Sequence, residues 1–577
     1  MSNVQPLNSD ELQVGAPVAA AEIESGEQGG HLNFMGGISY DVKHPVGRLR
    51  MIAASSFFKE PKYYDDTGAR VAGAPSQTLT GKLQSHLQAT LGQVESEDSR
   101  GQGASSALER AIDEALAADP KATLAVAVSL RNEDFIRVTP QVILVRAAHH
   151  PNVRGTGLVR EFAPHIIKRG DEPAIQLAYH NATFCRENGK PAPVPNQLKK
   201  VWRDYLSKAS EYTLAKYRME SAPSKTVDVC NLAHAKSEAI GKLVAGELKL
   251  EQRTWESFIS TYGSNAESWH QVNELFLRHP GGHMALLRNL RNLEKFGLLD
   301  KGTREALVRG AAEGKQLPFR YHSAYQALRA EGASKLALDA VEECLHVSLG
   351  ALPRLQGRVM SLCDNSGSAH GAFTSEFGSV NVATIANLTG VLTGAMASEE
   401  GYVGVFGDKL KRVKVDPAKS VFEQHETVNN LANSVGQSTE NGVWVFFRDA
   451  IATKEHWDHI FVYSDMQAGH GGLYGVNEKD YADFAWPNSR RHIDVAALVK
   501  RYREEVNPNV MVYLVQVAGY QDTLVPDHYD KTVIMGGWSG GILRYAAKMA
   551  DLMVGPGAGS AGASDEAAGA SAEAATV

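Results

Sequence analysis

The sequence predicts a multidomain chain: an all-α helical-repeat half followed by an α/β, Rossmann-like domain. Three observations predict it. From about residue 45 to about 345, apolar residues recur at helical spacing in segments separated by short turns, and strand-like runs are nearly absent. Beyond residue 350, short apolar runs alternate with helical patterns, which is how a mostly parallel sheet covered on both faces reads. At 577 residues the chain is also longer than one core usually serves.

Taken in order, residues 1–30 hold five acids and no Lys or Arg, and read as a disordered acidic leader. The helical half spans 31–350. Its segments include Ala107 to Ala118, Leu124 to Leu130, Val142 to His149, Val159 to Ile167, Ala174 to His180, Pro195 to Ala209, Tyr212 to Arg218, Val227 to Ile240, Trp255 to Tyr262, Ser268 to Arg278, His283 to Phe296, Lys301 to Ala311 and Tyr321 to Ala333. Consecutive helices with short connections suggest paired repeats stacked into a curved solenoid, although no clean repeat period stands out. The second domain spans 351–552. Its strand candidates are Val359 to Cys363, Gly401 to Phe406, Val443 to Phe447, His459 to Ser464 and Met511 to Val517; the third could equally open a helix. Helical patterns at Val380 to Met396, Val421 to Asn433, Val495 to Arg503 and Ile542 to Met549 intervene or follow, and 466–494 reads as the longest loop. Residues 553–577 are nearly all Gly, Ala, Ser and acid, and read as a disordered tail.

A formal charge of −7 gives no global argument for nucleic acid. Locally the balance reverses: residues 141–210 carry eleven Lys or Arg against five acids. Such a surface attracts phosphate and binds it in a strongly salt-dependent way, whereas the plainer reading is a solvated helix face. Lys168, Arg169, Lys199, Lys200 and Arg203 belong to this stretch. Its aromatic residues, Phe162, Tyr179, Phe184, Trp202 and Tyr205, are read mainly as core. Arg288, Arg291 and Lys295 recur at i, i+3 and i+7, which puts them on one helix face able to meet a single strand. Four cysteines without C-x-x-C spacing read as buried thiols of a reducing compartment. With no signal segment and no long apolar run, a soluble cytoplasmic protein is expected.

The most informative stretch is Val359 to Ser368. An apolar strand runs into Asp364, Ser366 and Ser368, which offers one charge and two neutral oxygens at the carboxyl end of a strand. That chemistry suits a hard divalent cation such as Mg2+, but the set is incomplete without later loops. Gly436 to Thr439 and the strand ending at Asp465 can complete it. Asp-x-Ser-x-Ser, a later Thr and an Asp after a strand, in that order, resemble the metal-ion-dependent adhesion site of von Willebrand factor A domains. The resemblance implies Asp364, Ser366, Ser368, Thr439 and Asp465 as metal ligands, with acids ligating directly or through water. Ala369 stands where the family commonly has Met, and Gln437-Ser438 where Gly-Gly usually precedes the threonine.

The helical half extends the resemblance. Asn33 to Tyr64, Leu214 to Arg218, Val227 to His234, Met284-Ala285-Leu286-Leu287-Arg288-Asn289-Leu290 and Leu317-Pro318-Phe319-Arg320-Tyr321 are similar to the TROVE module. Followed by the A domain, they resemble the family of the Ro 60 kDa autoantigen and its bacterial relatives. This implies a HEAT-like ring closed by the A domain. A small structured, Y-like noncoding RNA would lie on a basic outer surface, and the hole would take single-stranded 3' ends of misfolded or immature RNA. Bacterial relatives work with an exoribonuclease in ribosomal RNA maturation and RNA decay. By carry-over, His234 stands at a histidine important for RNA contact, and Lys216 and Arg218 in the basic stretch before it. A monomer within a ribonucleoprotein, away from membranes, is implied.

No enzymatic activity is expected. A hydrolase would need a base or a second metal, Ser539-Gly540-Gly541 lacks the flanks of a nucleophile elbow, and no Gly-rich phosphate loop precedes a Lys. The runner-up is a protein-binding scaffold in which the metal takes a partner carboxylate.

Overall fold

The computed structural model describes residues 31–32, 38–41, 44–55, 104–464 and 485–554, with short interruptions inside the last two ranges. The expected leader, all of the expected tail beyond residue 554 and most of the 466–494 loop lie outside the described residues.

Helix α1, Pro45–Ser55, packs on Ala104–Ala118, and from there helices follow one another to residue 350. Local chemistry sets their ends. Asp119 accepts from the Ala122 amide at 2.9 Å ahead of Pro120, so helix Pro120–Asn132 begins with a side-chain cap and a residue that has no N–H to leave unpaired. Helix α2, Asn196–Leu206, buries Leu198, Val201, Trp202 and Leu206 on one stripe. Buried amides stitch neighbouring helices together: Trp202 Nε1 donates to Gln176 Oε1 at 2.6 Å, and Gln176 Nε2 to Gln141 Oε1 at 2.7 Å. Buried polar groups so satisfied specify a single packing.

The segment from Val227 to Ile240 is two helices, not one. Helix α3, Thr226–Ala233, ends where His234 turns left-handed at φ 53°, and Ser237 caps the next helix, Glu238–Val244, by accepting from the Ile240 amide. The helical run closes with two more helices. Helix α4 is Pro318–Ala330 and helix α5 is Lys335–Gly350.

The α/β domain holds a six-stranded sheet of β1 (Val359–Asp364), β2 (Gly401–Phe406), β3 (Leu410–Val415), β4 (His459–Ser464), β5 (Met511–Gln516) and β6 (Thr532–Gly536). Their order is β6-β5-β4-β1-β2-β3, all parallel except β3, which pairs antiparallel with β2. Strands β3 and β6 were not expected from sequence, and Val443–Thr453 takes the helical alternative, burying Trp444, Phe446 and Phe447. Met360, Leu362, Ile460 and Val462 face one core, while Val359, Cys363, Phe461 and Tyr463 face the other. Both sheet faces are therefore covered, as continuous apolar strands require. On the second face lie helix α6, Val382–Ala395, and helix α7, Val421–Ala432. Helix α6 lies close to the sheet because a Cβ at Gly390 would stand 2.5 Å from Cys363 Sγ, and one at Gly394 would stand 2.8 Å from Val415.

The helical run starts and finishes on this same domain. At its start α1 lies on β6, so closely that a Cβ at Gly536 would fall 2.0 Å from the Met51 carbonyl oxygen. At its end α4 and α5 meet α6 and α7. Arg329 pairs with Glu426 at 2.6 Å, Tyr325 packs on Phe422 with ring centroids 4.4 Å apart, and Glu342 accepts from Ser420 Oγ and the Val421 amide, both at 2.7 Å. That carboxylate sits at the start of α7, where the helix dipole favours negative charge. Gly536→Val is expected to undock α1 at a cost of about 1–3 kcal/mol, the usual range for overpacking. Thermal unfolding with limited proteolysis around residue 55 checks this, and an unchanged profile would mean that α1 yields without loss.

His322 of α4 and His425 of α7 meet edge to face at 4.6 Å in this seam. Burial depresses them to about 4 and about 3 respectively. A histidine held neutral in the fold stabilises it above the unfolded value near 6.5, and that contribution is lost as pH falls toward the folded value. Acidification from pH 6.5 to 4 should therefore weaken the fold by up to about 1.4 kcal/mol per pH unit per histidine. Denaturant midpoints of wild type and His425→Phe at pH 7 and 4.5 check it: the variant should lose less on acidification.

Candidate nucleic-acid interface and strand-end loop site

Burial sharpens the charge imbalance of residues 141–210. Asp171 and Glu172 are buried, with Glu172 paired to Arg131 at 2.8 Å and accepting from the Lys168 and Arg169 amides. Among the described residues of the stretch, eight cations are exposed (154, 160, 168, 186, 190, 200, 203 and 208) against two exposed acids, Glu161 and Asp204. The surface is more basic than the count because Asp171 and Glu172 turn inward.

Half-buried Lys199, exposed Arg203, and Ser207 follow one another at i, i+4 and i+8 from the flank of the core stripe of α2 to its C-cap, with exposed Lys200 opposite the stripe. Ser207 Oγ accepts from the Lys236 amide at 3.3 Å, which places His234 and Lys236 at the end of that stripe. His234 is exposed and left-handed, a conformation histidine tolerates better than most side chains. Lys200 and Arg203 form no ion pair among the described residues.

Other candidates are committed elsewhere. Arg169 grips buried Asp171 through two bonds of 3.1 Å and lies 5.0 Å from the centroid of the Tyr217 ring. Arg218 pairs with Glu220 at 3.1 Å, and Arg291 with Glu331 at 2.6 Å. Lys216 stands over the Tyr212 and Tyr217 rings and is exposed, as is Lys168. Arg288 is exposed on the same helix face as Arg291. Phe162, Tyr179 and Trp202 are core, as expected. His149 and His180 bond to each other at 2.9 Å. Cys185 is exposed, unlike the three other thiols.

The second site lies at the carboxyl ends of β1 and β4, the neighbouring strands from which the sheet is wound in opposite directions. Open α/β sheets bind ligands there. Asp364 is fully buried; its carboxylate accepts from Ser464 Oγ at 2.6 Å and from the Ser366 amide at 2.9 Å. Burial raises its pKa above the usual carboxylate range, while these donors and nearby His370 pull it back part-way. Among the described residues no Lys or Arg neutralises it. A buried acid with hydroxyls around it and no cationic partner fits a hard divalent cation, which also needs oxygens from elsewhere.

Those oxygens have a route in. The Gly367 amide donates to the Gln437 carbonyl at 2.7 Å, so the loop leading to Thr439 touches the Asp364 loop. Ser464 brings the chain leading to Asp465 to the same carboxylate. Thr439 and Asp465 lie outside the described residues, as does the Ser368 side chain. Ser464 was missed in the sequence because a serine closing an apolar strand carries no signal of its own.

No family model and no curated protein matches this sequence. Among solved structures, the crystal structure of the Deinococcus radiodurans Ro (RSR) protein aligns over 87% of this chain and 99% of that one, with a TM-score of 0.52. The chain has the fold of that Ro protein. At 14% identity the likeness concerns architecture: the Ro fold accounts for the helical run, for the α/β domain that follows it and for their order. What the Ro-fold chain does must be argued from its own residues.

Proposed function

We propose that this Ro-fold protein binds RNA without acting on it. The observation that supports this most is the stripe of Lys199, Lys200, Arg203 and Lys236 ending at His234, on a surface where exposed cations outnumber exposed acids because Asp171 and Glu172 are buried. Phosphates meet such a stripe through charge and shape, with little base specificity. On this reading a small structured, Y-like RNA lies across α2 and α3, and the single-stranded 3' end of a misfolded or precursor RNA meets Arg288 and Arg291 inside the ring. An exoribonuclease would then process the presented end.

The strand-end loop would hold Mg2+ through Asp364, Ser366, Ser368, Thr439 and Asp465. The ion would supply fixed positive charge, and with it a place for a partner carboxylate. The chain's own contribution is a dry, preset carboxylate at Asp364.

Binding should be compared at two salt concentrations for a small structured RNA, the same RNA with a single-stranded 3' extension, and plain duplex. Tighter binding of the extended RNA, weakening steeply with salt, is expected. Negligible binding of all three would overturn the RNA reading and leave a scaffold built on the Asp364 loop.

A further inference from the structure

Asn365 follows the buried acid, yet its side chain points away from the loop's oxygens and into the domain. Its Nδ2 donates to the Cys363 carbonyl at 3.0 Å and to Asn387 Oδ1 at 2.9 Å. Asn387, on α6 and 1% exposed, returns a bond to Asn365 Oδ1 at 2.9 Å and donates to Asn429 Oδ1 on α7 at 2.7 Å. Asn429 Nδ2 lies 3.2 Å from His425 Nε2, and His425 meets His322 of α4 edge to face. Four polar side chains thus run from the strand-end loop to the seam where the helical run closes.

Each amide fixes the orientation of the next. The donors of Asn387 settle which end of Asn429 faces His425, and that nitrogen must then accept. His425 Nε2 also lies 3.2 Å from the Thr384 carbonyl, which asks the same atom to donate. One nitrogen cannot do both at once. The tautomer of His425 therefore decides whether Asn429 or the Thr384 carbonyl is its partner, and His322 packs against that ring. Buried amides are costly where leucines would pack, so this chain has a consequence beyond filling space.

We propose that Asn365, Asn387, Asn429 and His425 link the Asp364 loop to the seam, so that the packing of α4 and the occupancy of that loop by a divalent cation bias one another. The cation half rests on the reading of the loop given above; the mechanical half does not. Coupling of this kind is reciprocal. Asn387 and His322 would be positioning residues, acting through others.

The test uses the full chain, with hydrogen exchange of peptides spanning 359–370 and Mn2+ binding followed by paramagnetic resonance. Asn387→Leu cuts the chain in the middle. His322→Phe alters it from the helical side with little change in volume. Arg329→Ala removes the Arg329–Glu426 pair from the same seam without touching the chain. Loop exchange is expected to rise about tenfold in Asn387→Leu and severalfold in His322→Phe, with Mn2+ affinity falling in parallel. Arg329→Ala should leave both as in wild type. If Asn387→Leu does not fold, His322→Phe still decides. Wild-type loop exchange in His322→Phe, or equal acceleration in Arg329→Ala, would overturn the link. Altered exchange with no Mn2+ bound by any protein, wild type included, would overturn the cation half alone.

Discussion

Reversing Lys199, Lys200 and Arg203 to Glu together is expected to weaken RNA binding by about a hundredfold or more at low salt and to lower the salt slope by about three. Each lost phosphate contact removes one released counterion, and each new carboxylate repels what remains. The fold should not change, because these side chains lie outside the stripe of Leu198, Val201, Trp202 and Leu206 that anchors α2. Unaltered affinity with an unaltered circular dichroism spectrum would move the footprint elsewhere, with Lys168 and Lys216 as the next positions. Arg169→Glu is a poor choice for the same purpose. It would strand Asp171, whose carboxylate is buried against that guanidinium, and so confuse weaker binding with a damaged core.

Asp364→Ala should abolish divalent-cation binding, a loss of more than about a hundredfold, since removing even an outer partner of a metal site costs tenfold to a hundredfold. The clearest readout is thermal. In wild type, Mg2+ at about a hundred times its dissociation constant should stabilise the fold by about 2.7 kcal/mol, and in the variant it should do nothing. Full retention of the cation would exclude the proposed ligand set. Ser464→Ala is an informative companion. It takes a 2.6 Å donor from the carboxylate but leaves the charge, and should weaken binding less than Asp364→Ala does.

Much of the fold was legible because burial writes periodicity into the chain. Strands β1, β4 and β5 are buried along their length and read as unbroken apolar runs. Strand β3 was not legible. Its Leu-Lys-Arg-Val-Lys-Val is the exposed edge of the sheet, and three charges in six residues look like a solvated turn. The break at His234 was hidden for another reason: apolar spacing continues across it, and only the left-handed backbone and the Ser237 cap interrupt the helix. At the loop site, Asp364 and Ser366 were recognisable from their spacing, whereas Asn365 reads as an ordinary turn residue. Its bond to Asn387 depends on how closely α6 approaches the sheet, which two glycines permit and no local pattern announces. Among the basic residues, sequence could count Arg169 and Arg291 but could not see that Asp171 and Glu331 already hold them.

The docking of α1 on β6 joins residues almost five hundred positions apart. During synthesis α1 leaves the ribosome almost five hundred residues before the strand it needs. At about 5–20 residues per second that interval is roughly half a minute to a minute and a half. Throughout it the helical run has one finished edge and no counterpart, so this closure comes after the whole helical run has been made. A contact that waits so long adds little to the speed of folding and much to its cooperativity: shortening the chain before residue 532 would remove a strand from the sheet and, at the same stroke, the anchor of the first helix.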